Sequence, residues 1–128
     1  MEGAVELRLV PSVTDEAVAS EILSMLESEK LVSWQELAKL YRNRGVSLYR
    51  LRKILLSLLN KGVVVELPCR LFTTRECLEE TPREVLRELV EGKVRSLGLR
   101  KCGKPVGAPY EKVSISISRK RGVRVSIR

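Results

Sequence analysis

Arg50, Arg52 and Lys53 fall within a single helical turn, Arg42 and Arg44 stand just before them, and no acidic residue lies between Arg42 and Asn60. These residue types handle anions. The planar guanidinium fork of Arg matches a phosphate or a guanine edge, and Lys supplies a point charge to phosphate. Ser33 and Ser47 sit where helices are expected to start, and a helix N-terminus adds backbone donors and the positive end of its dipole. Tyr49 is the aromatic expected to be exposed, available to stack on a base or sugar.

A stronger electrostatic signal lies at the other end of the chain. Gly92 to Arg128 hold eleven Lys or Arg and one acid, Glu111, a local net charge of +10. The first 91 residues hold thirteen basic and fifteen acidic side chains, a net of −2. The overall +8 is therefore not spread as a solubility coat. Lys93, Arg95, Arg100, Lys101 and Lys104 precede a basic tip of Arg119, Lys120 and Arg121, with Arg124 just beyond. Such charges repel one another unless a polyanion relieves them. With about five phosphate contacts, affinity for duplex DNA would fall with salt at a slope of roughly −4 to −5.

Other chemistries lack their residues. The absence of histidine removes the commonest general base and the Ser-His and Cys-His nucleophile pairs, so no enzyme is expected. Gly98 to Lys104 spells GxxxxGK, but Pro105 replaces the hydroxyl residue that would hold magnesium, and no helix can follow through Val106-Gly107-Ala108-Pro109. Glu79 and Glu80 read as a solvated start before the Thr81 cap rather than as paired catalytic acids. Cys69, Cys77 and Cys102 form no CxxC pair, so neither metal nor cofactor is expected. They are expected as reduced thiols in a cytoplasm, with a Cys69–Cys77 disulfide as the open alternative. The apolar runs are too short for a membrane span, and the N-terminus has no secretory pattern. The near absence of Asp, Asn and Gln resembles a thermophile's bias.

The elements that would position these groups follow from periodicity and capping. Val5 to Val10 alternates as a strand, stopped by Pro11. Thr14 caps a helix to about Ser28, with Asp15 and Glu16 in its first turn. Ser33 and Glu36 form a capping box for a short helix ending near Arg42. Trp34 and Tyr41 are expected in its core face. Ser47 caps a longer helix to Asn60, with Leu48, Leu51, Ile54, Leu55 and Leu58 inward and Gly62 as its stop. Val63–Leu67 and Arg70–Thr73 read as a hairpin. Thr81 and Pro82 open a fourth helix that Gly92 ends. Residues 97–109, rich in Gly and Pro, read as a linker or extended arm. Val113 to Ser118 and Val123 to Arg128 then form a second hairpin, apolar on one face and Ser/Arg on the other. The N-terminal strand is its expected third member.

Residues 15–74 resemble the winged-helix superfamily, carried by the helix Trp34 to Arg42, the Gly45 turn, the helix Leu48 to Asn60 and the two-stranded wing. That resemblance implies that Tyr49, Arg50, Arg52 and Lys53 read the major groove. It implies that Arg42, Arg44, Ser33 and Ser47 meet phosphates, and that the short, nearly neutral wing turn adds little beyond Arg70.

The expectation is an α+β chain. A winged helix-turn-helix domain with its N-terminal strand and fourth helix spans 1–91, and a basic linker and β-hairpin span 92–128. A DNA-binding protein acting in transcription is the first functional expectation, with either a homodimer through Leu86, Leu89, Val90 and the edge strands or assembly with a larger complex. The alternatives are an RNA-binding component of a ribonucleoprotein particle, whose basic extensions this arm resembles in composition, and a protein-interaction adaptor in replication or transcription machinery. No membrane partner is expected.

Overall fold

The computed structural model describes residues 14–107, 113–118 and 122–127. The expected strand Val5 to Val10, Tyr110 and the tip Arg119 to Arg121 lie outside them. Along the described chain the order is α1 (Asp15–Glu29), β1 (Val32–Ser33), α2 (Trp34–Arg42), α3 (Leu48–Asn60), β2 (Val64–Leu67), β3 (Leu71–Thr74), α4 (Arg75–Glu80), α5 (Arg83–Leu97), β4 (Val113–Ser118) and β5 (Gly122–Ile127). The architecture is α+β. One antiparallel sheet has the order β1-β3-β2, and β4 pairs with β5 in a separate hairpin.

Local sequence explains where the helices begin. Thr14 Oγ1 accepts from the Ala17 N–H at 3.1 Å, Ser33 and Glu36 form the full capping box, and Ser47 Oγ accepts from the Arg50 N–H at 3.1 Å. Each such cap contributes about 1 kcal/mol. Two short elements have no such signal in the sequence. Val32 and Ser33 form β1 by pairing with Phe72 and Leu71, a contact about forty residues away in the chain. Thr74 caps α4 by accepting from the Cys77 N–H at 3.0 Å.

The start and end of α5 differ from expectation. Thr81 does not cap it: its hydroxyl donates to the Cys77 carbonyl at 2.6 Å, closing α4, and Pro82 stands at the cap position of α5. Nor does Gly92 end it. The helix continues to Leu97 and stops at Gly98, whose φ of 66° places it in the left-handed region. A mid-helix glycine costs about 1 kcal/mol, which the burial of Val94 one half-turn later offsets.

Two apolar clusters hold the fold. The larger joins Val18, Ile22 and Leu26 of α1, Leu37 and Tyr41 of α2, and Leu51, Ile54, Leu55 and Leu58 of α3 with Val64 and Phe72 of the sheet. Tyr41 is fully buried as expected, whereas Trp34 is only half-buried against this core. The smaller cluster packs Leu86, Val90 and Val94 of α5 on Leu67 and Leu71. Leu86 and Val90 are therefore committed to the chain's own interior and not to a dimer contact. Lys93 ties α5 to α2, its Nζ 2.9 Å from Glu36 Oε1. Burial pushes the Glu36 carboxyl up, and the Lys93 ammonium with the Ser33 N–H holds it below its ordinary value nonetheless.

The cysteines are not all reduced. Cys69, in the β2–β3 turn, is bonded to Cys102 with an S–S distance of 2.10 Å, and Cys77 is the free thiol. The β2–β3 turn faces the segment after α5 rather than α4, which is why the pairing is not Cys69–Cys77. Residues 98–107 are consequently a strap fastened across the sheet, not a loose linker. The disulfide links residues 33 apart in sequence, and a loop of that size gives about 4 kcal/mol in the chain-entropy account. Cys102→Ser is expected to lower the unfolding free energy by roughly 2–4 kcal/mol, read from guanidinium denaturation under non-reducing conditions. An unchanged midpoint would contradict the fastening.

Candidate nucleic-acid interface

The outer side of α3 carries Tyr49, Arg52 and Lys53, all exposed, because the inward positions Leu51, Ile54, Leu55 and Leu58 fix the rotation of the helix. Lys53 Nζ sits over the Tyr49 ring, 5.4 Å from its centre. Arg42, Arg52 and Lys53 form no ion pair with any described residue.

Two expected contacts are differently placed. Arg50 Nε lies 2.6 Å from Asp15 Oδ1 at the start of α1. Arg44 grips both oxygens of Glu21, which also accepts from the Tyr41 hydroxyl at 2.8 Å, and the Arg44 guanidinium lies 5.3 Å from the Tyr41 ring centre. The Arg44 and Tyr41 hydrogen bonds hold the Glu21 carboxyl below its ordinary range. Ser47 uses its hydroxyl oxygen as the α3 cap. The α1 flank of α3 also bears a cavity of about 310 Å³, lined among others by Asp15, Glu16, Lys53 and Lys61. Asp15 and Glu16 share that flank with Lys53 and Lys61, and Arg52 lies toward the opposite one.

On that opposite flank the strap arrives. Glu66, in β2, is only 3% exposed, and its two carboxylate oxygens accept the Val106 and Gly107 N–H groups, each at 2.8 Å. Burial nonetheless pushes its carboxyl above the ordinary 4.5, against the pull of these two donors and of the nearby Arg70 and Arg52 charges. Val106 enters the larger core. Gly107 lies so close to α3 that a Cβ there would stand 2.7 Å from Leu59 Cδ1, so a larger residue would force the Leu59 side chain or the strap to shift.

The β2–β3 turn completes the fastening. Cys69 and Arg70 both have positive φ, 67° and 56°, an uncommon conformation for residues with side chains. Arg70 Nε donates to the Lys104 carbonyl at 2.6 Å, so this guanidinium faces the strap rather than solvent alone. Arg100, Lys101 and Lys104 are exposed on the strap.

The structure therefore places Arg52 and Arg70 near Glu66, and the segment that Glu66 holds carries Arg100, Lys101 and Lys104. The helix and the C-terminal arm, separate in the sequence, meet there. Arg124 lies on β5 opposite Ser116, and β5 runs beside α5. The residues that sequence reasoning missed are Glu66, Cys102, Val106 and Gly107. The one signal for Glu66 was a lone acid inside a strand otherwise made of Val and Leu.

No protein-family model, curated protein sequence or solved structure matches the chain. Among the described residues no three metal-ligating side chains gather, and no helix is long and apolar enough to cross a membrane.

Glu66→Gln would keep one acceptor and turn an NH₂ against the other backbone N–H. A loss of about 1–3 kcal/mol at neutral pH is expected, with faster hydrogen exchange at Val106 and Gly107. Because the folded chain holds the Glu66 proton more tightly than the unfolded chain, the wild-type advantage is full below the ordinary 4.5 and shrinks as pH rises through the elevated value. An advantage that grows with rising pH would contradict the burial of this carboxyl.

Proposed function

We propose that this chain is a winged-helix protein that binds nucleic acid, with DNA as its ligand and transcription as its setting. Three helices followed by a β-hairpin, with β1 completing a three-stranded sheet, support the winged-helix reading. In this reading the first two turns of α3 enter the major groove, with Arg52 and Lys53 toward base edges and Tyr49 on the outer face. The β2–β3 turn, folded under the strap, does not act as a probing wing. Arg100, Lys101 and Lys104 of the strap take the flanking phosphates in its place.

The observation that carries the proposal is the corner at Glu66. Arg52 and Arg70 flank the anchor, and the segment it holds bears three exposed cations without an acid partner among the described residues. Basic groups held together against their own repulsion suit a phosphate backbone.

Binding to duplex DNA is expected to weaken with salt at a slope of roughly −4 to −5. Replacing Arg100, Lys101 and Lys104 together by Ala is expected to lower that slope by roughly two to three, alike for all sequences. Arg52→Ala with Lys53→Ala is expected to cost sequence preference as well. Fluorescence anisotropy across a salt series reads all three. Absence of DNA binding at physiological salt would overturn the proposal. Structured RNA displacing duplex DNA would move it to the ribonucleoprotein reading.

A further inference from the structure

We propose that Tyr49 is a stacking platform for an unpaired base, and that the preferred ligand is DNA opened at a loop or junction rather than a closed duplex. The inference rests on the nucleic-acid reading above and narrows its ligand.

Tyr49 is 73% exposed at the start of α3, and Leu48 beside it is 44% exposed. The Lys53 ammonium sits over the ring, 5.4 Å from its centre, and still leaves most of Tyr49 open to solvent. Arg52 follows one turn on. An aromatic face beside cations is the composition of sites that hold single strands, because every base offers a π-face while the cations follow the backbone.

Apart from Arg52 and Lys53, the start of the helix supplies little means of reading a closed groove. The exposed positions of its first two turns, Leu48, Tyr49, Arg52 and Lys53, include no Asn, Gln, Asp or Glu. Those are the side chains that recognise adenine or cytosine edges. Beyond Lys53 the flank toward the strap is occupied by Gly107, packed on Leu56 and Leu59. The exposed positions from Leu48 to Lys53 span about 9 Å of helix, with Ser57 and Asn60 exposed further along. That length faces fewer than about three base pairs. A surface this short, poor in edge readers and centred on a ring, gains more from a base that leaves the stack than from one that stays in it.

The test compares two DNA duplexes of equal length and sequence, one fully paired and one with a short internal loop carrying 2-aminopurine. The full-length protein and its Tyr49→Ala and Tyr49→Phe variants are titrated against both. The wild type is expected to bind the looped DNA more tightly and to quench the 2-aminopurine. Tyr49→Ala is expected to weaken looped-DNA binding roughly 5- to 150-fold and lose the quenching, a larger loss than it causes on the paired duplex. Tyr49→Phe, which keeps the ring, is expected to stay within about twofold of wild type on both. Equal losses on both ligands, or a Phe variant as weak as the Ala variant, would overturn the stacking role and leave the nucleic-acid reading standing. Failure of the wild type to bind either DNA would overturn both.

Discussion

The carboxylate of Glu66 and the N–H groups of Val106 and Gly107 are each untenable without the other. A buried ionised carboxylate with no partner costs several kcal/mol, and a buried N–H without an acceptor costs about 1–3 kcal/mol. Brought together, with Arg52 and Arg70 nearby, the N–H groups gain their acceptor and much of the carboxylate's cost is offset. Burial still holds the Glu66 carboxyl above its ordinary value. The contact joins positions forty residues apart and fixes where the chain goes after α5. The Cys69–Cys102 bond and the Arg70–Lys104 hydrogen bond act on the same segment. Removing the carboxylate would leave the strap tied at one end and open at the other.

That fastening changes the meaning of the charge distribution. The first helix places Asp15 and Glu21 where they neutralise Arg50 and Arg44. One side of α3 is thereby internally satisfied, and those two arginines serve the packing of α1 on its neighbours. The opposite side, where Arg52 lies, receives the strap at Gly107, and the strap carries Arg100, Lys101 and Lys104 exposed. A chain with a net charge of +8 thus presents its positive charge unevenly in space as well as along the sequence. Placement of this kind, rather than net charge, supports a defined polyanion contact.

Much of the helical framework was legible because its signals are local. A capping Ser or Thr and a glutamate three residues on act within one turn, and the apolar spacing of α3 sets which side chains face outward. The failures share one cause: they depend on residues distant in sequence. Val32 and Ser33 become a strand only because Leu71 and Phe72 lie alongside. Thr81 closes α4 because Cys77 presents a carbonyl to it. Gly92 stays helical because Val94 has a core to enter. Glu66 gave no sign of its role because its two donors come from backbone, which carries no residue-type signature. The strap looked like a linker for the same reason, since Gly107 serves close approach and Gly103 a φ of 72° rather than flexibility.

The central claim is that α3 and the strap form one contact surface. Lysine-reactivity footprinting of the wild-type protein with and without saturating DNA addresses it most directly. Lys53, Lys101 and Lys104 should become protected together, with a common dependence on DNA concentration and salt, while Lys39 on α2 and Lys30 after α1 keep their reactivity. Protection of the α3 lysine without the strap lysines, or of the strap without α3, would show that the two are separate surfaces and that the Glu66 anchor has no part in binding.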